Sequence, residues 1–405
     1  MNASLSYDQL KQAATNYGTP LYVYHAEKIA QQYQDLFNHF YAKTTRIFYA
    51  CKALTNIHIL DVVKRAGGNI DCSSINEAKL ALHVGFRPDQ VLYTSNSVSF
   101  EEIAEAASLG IYVNIDSLSN LEKFGAKFGN TYPVGVRIRP NIMAGGNLKI
   151  STGHDKSKFG IPVTELETLK AIQAKYNIHI CTLHIHTGSE IKDVKVFLQS
   201  AEVFEQMLPH FPTVTVLDFG GGFKVPYQPD EKGTDMALLG AEVNKVVAKL
   251  SAQFGRAFTA WFEPGKYIVS EAGFFIAKVN VLKQSGAIQF AGIDTGLNHL
   301  IRPMFYDSYH HIDNLSHPEK PHQNYAVVGN ICETDTFAWE RSIATVEEGD
   351  WLVFYNAGAY GYEMASNYNA RYKPAQVLFE NGVARLISRR DEFKDLLALQ
   401  VPLTK

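Results

Sequence analysis

Between residues 46 and 263 short apolar runs alternate with longer amphipathic stretches, and this alternation constrains the fold more than any other feature of the chain. The runs are RIFYAC (46–51), NIDCS (69–73), VLYTS (91–95), YVNID (112–116), VGVRIR (134–139), ICTLHIH (180–186), VTVLDF (214–219) and FTAWFE (258–263). Each has the length of a β-strand and is rich in β-branched and aromatic residues. The stretches between them, such as NEAKLALHVG and SFEEIAEAASLG, place apolar residues at helical spacing. Strand–helix alternation predicts βα units joined into a parallel sheet. Eight such units match a (β/α)8 TIM-like barrel, which takes about 250 residues. A doubly wound open sheet is the alternative, because counting strands does not register closure.

After about residue 270 the texture changes. YIVSEAGFFIAKVNVLK, AVVGNICETDTFA and DWLVFYNAGAY are strand-like runs separated by turns, which predicts a mostly-β, Greek-key-like domain. GTPLYVYHAE, near the start, is a strand that precedes the barrel pattern and could pair with that later sheet. The expected organisation is therefore an N-terminal strand region (1–30) associated with the C-terminal domain, a barrel (31–270) and a β domain (271–405). With 405 residues, 46% of them hydrophobic, the chain has ample material for two cores.

A net charge of −3 suits neither nucleic acid nor an anionic membrane as the main partner. The N-terminal stretch MNASLSYDQLKQ is polar from its first residues, unlike a secretory signal. No apolar run approaches the ~18 residues of a membrane span. The four cysteines are scattered without CxxC spacing, which argues for a reducing compartment and against structural zinc. A cytoplasmic protein is expected.

The unusual residues gather at one end of the expected strands. Lys52 follows the first run, and hiding its charge costs several kcal/mol unless a partner or a pKa shift removes it. It either caps an exposed strand end or serves as a nucleophilic amine in a dry pocket. Asp71, Ser95, Asp116 and Arg139 lie at or near the ends of the next four runs, His184 and His186 close the sixth, Gly220, Gly221 and Gly222 follow the seventh, and Glu263 closes the eighth. Barrel enzymes build their active sites on this C-terminal face. The triple glycine is either a tight turn or a cradle in which backbone N–H groups meet phosphate. Glu263 could pair with a protonated ring nitrogen, and the His186 imidazole could stack on a flat ring.

These residues stand in motifs that coincide with a known family. FYACKALTN, STGHDKSKFGI (151–161), HIHTGS, DFGGGF, EPGK, LIRPMFYDSYH, CETD and NAGAYGYEMASNYNARYKPAQVL resemble, in order and approximate spacing, segments of the fold-type III pyridoxal phosphate-dependent decarboxylases. Within that family the resemblance is to the diaminopimelate decarboxylases, and it runs through nearly the whole chain. It implies a carboxy-lyase that converts meso-2,6-diaminopimelate to L-lysine and CO2, the last step of lysine biosynthesis.

The resemblance also implies roles. Lys52 would bond the aldehyde of pyridoxal 5'-phosphate and His186 would stack on its ring. Ser189 and the backbone of Gly221 and Gly222 would contact the phosphate, and Gly265 and Lys266 would also bind the cofactor. Glu263 would keep the ring nitrogen protonated, and Tyr360 would reach both phosphate and substrate. Lys266, Arg302, Tyr306 and Glu333 would bind the substrate's charged groups, with Cys332 as proton donor. Cys332 and Glu333 would come from a partner subunit, making the enzyme a homodimer with its active site at the subunit interface. The segment 151–161 would be mobile. EPGK departs from the family's EPGR: lysine offers a compact point charge where arginine offers a planar fork.

A decarboxylase of ornithine, arginine or a carboxylated polyamine is the alternative within the superfamily. Arg302 favours a substrate with a second carboxylate, because a plain diamine precursor needs only acids at its far end. An amino-acid racemase of the same fold would need two bases, and a noncatalytic cofactor carrier would lack the β domain. The histidine-rich run 307–323 has irregular spacing, so no metal site is expected there.

Overall fold

The strand-rich and helix-rich halves of the sequence fold as two separate units in the computed structural model, which describes residues 5–40, 44–142 and 157–403. The first unit comprises residues 30–225 and 232–268, the second 1–29, 226–231 and 269–405. The hexapeptide 226–231, inside the expected barrel region, thus groups with the β unit. Of the 151–161 segment, residues 151–156 lie outside the described residues.

Numbered along the chain, β1 (Leu21–His25) belongs to the second unit. The barrel takes β2 (Thr45–Ala50), β3 (Asn69–Cys72), β4 (Val91–Thr94), β5 (Tyr112–Ile115), β6 (Val134–Arg139), β8 (Ile180–His184), β9 (Val216–Asp218) and β10 (Thr259–Phe262), with a short β7 (Ile161–Pro162) alongside β6. All eight pair in parallel in the order β5-β4-β3-β2-β10-β9-β8-β6, and a further β5–β6 pairing closes the ring. The open-sheet alternative is therefore excluded. Buried on both faces, these strands read as continuous apolar runs instead of alternating ones.

Serines start the helices that follow three strands. Ser74, Ser99 and Ser117 each accept a hydrogen bond from the backbone N–H three residues on, at Glu77, Glu102 and Asn120. Left-handed Gly85 ends the helix that Ser74 starts, and left-handed Asn177 and Gly255 end two others. The N-terminal end of the barrel is plugged by Phe48, Leu92 and Trp261. The Arg46 guanidinium lies 5.0–5.4 Å from the ring centres of Phe48, Tyr112 and Trp261. With that end filled, the opposite end is left for chemistry.

The β unit is a sheet running β15-β14-β12-β11-β1-β17-β18, with β16 pairing both β11 and β13. These strands are β11 (Gly273–Ser285), β12 (Ile288–Ile293), β13 (Ile312–Asn314), β14 (His322–Val328), β15 (Thr336–Ala344), β16 (Trp351–Phe354), β17 (Ala375–Glu380) and β18 (Val383–Ser388). Strand β1 lies between β11, antiparallel, and β17, parallel. Its alternate residues Leu21 and Val23 join Phe274, Ile276, Val353, Val377 and Phe379 in one core. The helix Tyr7–Tyr17, started by a Ser6–Gln9 capping box, adds Leu10, Ala13 and Ala14 to it.

Candidate active site

At the C-terminal end of the barrel, polar residues from adjacent strands meet in the interior. Lys52 follows β2 on a single 3₁₀ turn, Cys51–Ala53, and its amine stands 3.9 Å from the Asp71 carboxylate. The Lys52 side chain is 44% exposed while that of Asp71 is fully buried, so the amine reaches from a dry floor toward open space. Glu263, immediately after β10, is held on both oxygens: Thr94 donates to one at 3.1 Å and His184 Nε2 lies 3.2 Å from the other. Asn114 in turn donates to Thr94 at 3.0 Å. Asp218 accepts the Gly220 N–H at 2.9 Å.

The environment separates these acids. Burial pushes Asp71 and Asp218 well above the usual carboxylate range, and the nearby Glu263 charge pushes them further. Burial acts upward on Glu263 too, but His184, Lys52 and His186 outweigh it and hold the group below its ordinary value. The cluster therefore favours negative charge on Glu263 over the two acids beside it. Burial lowers His184 and lowers His186 further, with the Glu263 carboxylate acting in the opposite direction on both. His186 Nδ1 accepts the Gly221 N–H at 3.2 Å, which fixes the tautomer with its proton on Nε2.

The glycine turn admits no side chain. A Cβ on Gly221 would stand 2.2 Å from the Glu263 carbonyl oxygen, and one on Gly222 2.0 Å from that of Gly188. Gly222 also has φ +95°, a left-handed backbone natural only to glycine. Beside this turn, Lys266 donates to Ser189 Oγ at 3.1 Å and pairs with the Glu190 carboxylate. Gly265 packs against β2, where a Cβ would come 3.0 Å from the Ala50 carbonyl oxygen. The barrel unit thus brings Lys52, His186 and Glu263 into one electrostatic cluster, and Ser189 and Lys266 into contact. Because the Gly221 N–H is taken by His186, Gly222 is the better-placed of the two for a phosphate contact.

The remaining expected residues lie in the β unit. Arg302 opens the helix Arg302–Tyr306 and is buried. It donates to the Tyr227 hydroxyl at 2.9 Å, the Ala359 carbonyl at 3.1 Å and Ser308 at 3.3 Å. Its guanidinium also lies 5.0 Å from the centre of the Tyr227 ring. Tyr227 belongs to the hexapeptide that joins this unit, so that segment positions the arginine. Ala359 precedes Tyr360, whose φ of 56° is left-handed. Tyr306 ends the same short helix, half-buried beside Phe305. Cys332 and Glu333 are exposed. The Cys332 N–H donates to Asn369 at 3.1 Å, and Glu333 accepts from Tyr368.

Sequence reasoning gave no role to several of these groups. Arg139, taken as the polar end of the fifth run, donates instead to the Ser157 carbonyl at 2.6 Å. The inward arginine is Arg137, buried on the same strand and 4.6 Å from the centre of the Phe159 ring. Side-chain alternation places Arg137 on the same face as Arg139, opposite Val134, Val136 and Ile138, so it admits both arginines without choosing between them. Thr94 and Asn114 carried no signal by type. His184, Asp218 and Glu263 offer ligand atoms within 4.8 Å of one another, a spacing that also suits a metal ion. In the histidine-rich run, His310 is spent on the Tyr355 carbonyl at 2.8 Å, and His311 on Asp313, also at 2.8 Å.

The barrel end fits a flat, phosphorylated aldehyde. A reachable amine, a buried carboxylate held ionised for a cationic ring nitrogen, a neutral imidazole and a side-chain-free turn beside serine and lysine each match one part of pyridoxal phosphate. Comparison with known proteins gives the same answer. The family model described as "Pyridoxal-dependent decarboxylase, pyridoxal binding domain" matches residues 26–270. A diaminopimelate decarboxylase of Methanothermobacter thermautotrophicus is 35% identical, with 95% of this chain and 92% of that protein covered. That of Escherichia coli K12 is 30% identical, covering 99% and 98%. Among solved structures, a diaminopimelate decarboxylase from Helicobacter pylori complexed with L-lysine superposes with a TM-score of 0.88 at 30% identity, covering 98% and 99%. Another diaminopimelate decarboxylase gives a TM-score of 0.91 at 31% identity, covering 99% and 98%. The chain belongs to the pyridoxal-dependent decarboxylase family and, within it, to the diaminopimelate decarboxylases.

Proposed function

We infer that this chain is a carboxy-lyase that converts meso-2,6-diaminopimelate to L-lysine and CO2 with pyridoxal 5'-phosphate, closing lysine biosynthesis. The observation that carries this reading is full-length similarity to diaminopimelate decarboxylases combined with Lys52, His186 and Glu263 clustered at the barrel end. When bound, pyridoxal phosphate accepts the electron pair left on the substrate's α-carbon as CO2 departs. Lys52 would hold the cofactor through its aldehyde. Glu263 would keep the ring nitrogen protonated, and His186 would stack on the ring. Gly222, Ser189, Gly265 and Lys266 hold the phosphate, with Tyr360 reaching toward it.

At the substrate's far end Arg302, already oriented by Tyr227 and the Ala359 carbonyl, takes the carboxylate, assisted by Tyr306 and Lys266. Glu333 takes the ammonium. Cys332 delivers the proton that replaces CO2. Cys332 and Glu333 are exposed in the single chain, which supports their serving the site of a partner subunit in a homodimer. Arg302 speaks against ornithine or arginine as substrate, since neither has a second carboxylate to engage it. No helix among the described residues is long and apolar enough to cross a membrane, and all four cysteines are free thiols. Both fit a cytoplasmic enzyme. Lys52→Ala should eliminate the absorbance of covalently bound cofactor together with turnover. Retention of both would remove Lys52 from the assignment.

A further inference from the structure

Where the family motif carries arginine, this chain presents a lysine that is tied to two neighbours. Lys266 donates to Ser189 Oγ at 3.1 Å and pairs with one oxygen of Glu190. The other Glu190 oxygen lies 3.6 Å from Lys224 Nζ. One carboxylate thus bridges two ammonium groups, and all three side chains are about four-fifths or more buried, at 11%, 20% and 21% exposure for Lys266, Glu190 and Lys224. Glu190 does this from a left-handed backbone, φ 62°, a conformation unfavourable for a non-glycine residue. The strips carrying these residues are joined by backbone hydrogen bonds, Ile191 N–H to Gly222 O at 2.9 Å and Lys224 N–H to Ile191 O at 3.4 Å. Both lysines are therefore held next to the glycine turn.

We propose that Lys224 and Lys266 together form the cation pair for the cofactor's phosphate, and that Glu190 is a built-in competitor that occupies this pair until the phosphate displaces it. This rests on the reading that the phosphate binds at Ser189 and Lys266. A phosphate monoester carries close to two negative charges at neutral pH. A single arginine meets it with a two-point fork, whereas one lysine is only a point charge. A second lysine restores the balance. Two partly buried ammoniums with nothing between them would repel each other and lose hydration, and a bridging carboxylate relieves both costs. The phosphate must then outcompete Glu190, so that apparent cofactor affinity is scaled down to the fraction of molecules in which the bridge is open.

The test uses the full-length protein stripped of cofactor and titrated by absorbance with pyridoxal phosphate, then with inorganic phosphate as competitor. Glu190→Gln should tighten both ligands by at least about fivefold, the lower end of a site-to-site coupling. Glu190→Gly, which suits the left-handed backbone, should do the same and guards against a folding defect. Lys224→Met should weaken both roughly tenfold, the value of one charge-assisted contact. Unchanged or weaker binding in both Glu190 variants overturns the competitor, and unchanged binding in Lys224→Met overturns the cation pair. Lys266→Met separates the two levels. If it weakens both ligands while the Glu190 and Lys224 variants do nothing, only this proposal fails. If it too has no effect, the underlying phosphate assignment fails with it.

Discussion

Glu263 keeps its charge in a pocket where its two carboxyl neighbours, Asp71 and Asp218, are driven toward the neutral form. The difference lies in the neighbours that outweigh burial: His184, which also bonds the carboxylate, then Lys52 and His186 lower Glu263. A single ionised acid facing the cofactor ring is what a cationic ring nitrogen requires, and a neutral amide there would leave the electron sink weaker. Glu263→Gln should retain bound cofactor and lower kcat by roughly 100-fold or more, the scale of a lost preorganised electrostatic contact. Steady-state kinetics with an absorbance check on cofactor content would decide this, and near-normal kcat would contradict it. Lys52, His186 and Glu263 were legible in the sequence because each sits beside a strand end and within a short motif. Arg137, Thr94 and Asn114 were not, because they lie within strands, where only the direction of the side chain separates a barrel interior from its wall. Arg139 does end its strand as expected, while Arg137 lies deeper along it.

At the level of elements, the alternation of strands and helices was enough to specify parallel βα units, whereas closure into a barrel instead of an open sheet was not legible, because it rests on the β5–β6 pairing. The serine caps reinforced those units locally. Membership of the 226–231 segment was not legible, because its place follows from tertiary contacts such as the Asn356 side chain donating to the Pro226 carbonyl at 2.8 Å. The β unit carries a further consequence in its buried histidines. Burial holds His299 down to about 4 and His310 to about 3, below the ~6.5 of an unfolded histidine. The unfolded chain therefore binds more protons than the folded one between those values. Stability from these groups is fully present above pH ~6.5 and is lost as pH falls toward 4 and then 3. Urea unfolding should show a falling midpoint from pH 7.5 to pH 5, and His310→Gln should flatten that slope by up to one proton. An unaltered slope would show that His310 does not drive it.

For the whole molecule, the decisive feature is that Cys332 and Glu333 stand exposed on the β unit, while Lys52 and Glu263 belong to the barrel unit. If each active site takes Lys52 from one subunit and Cys332 from the other, two inactive variants can complement each other. Lys52→Ala and Cys332→Ala, unfolded and refolded together in equal amounts, should recover about a quarter of wild-type activity, because half the dimers are mixed and each holds one intact site. No recovery above the separate variants would place both residues in the same subunit's site. The central claim is the reaction, and a product assay tests it most directly. Protein loaded with pyridoxal phosphate would be given meso-2,6-diaminopimelate, ornithine and arginine in parallel, with CO2 and the amine product followed. The account predicts L-lysine and CO2 in equal amounts from diaminopimelate, with Lys266 an adequate replacement for arginine. Release of CO2 from ornithine or arginine with none from diaminopimelate would contradict it.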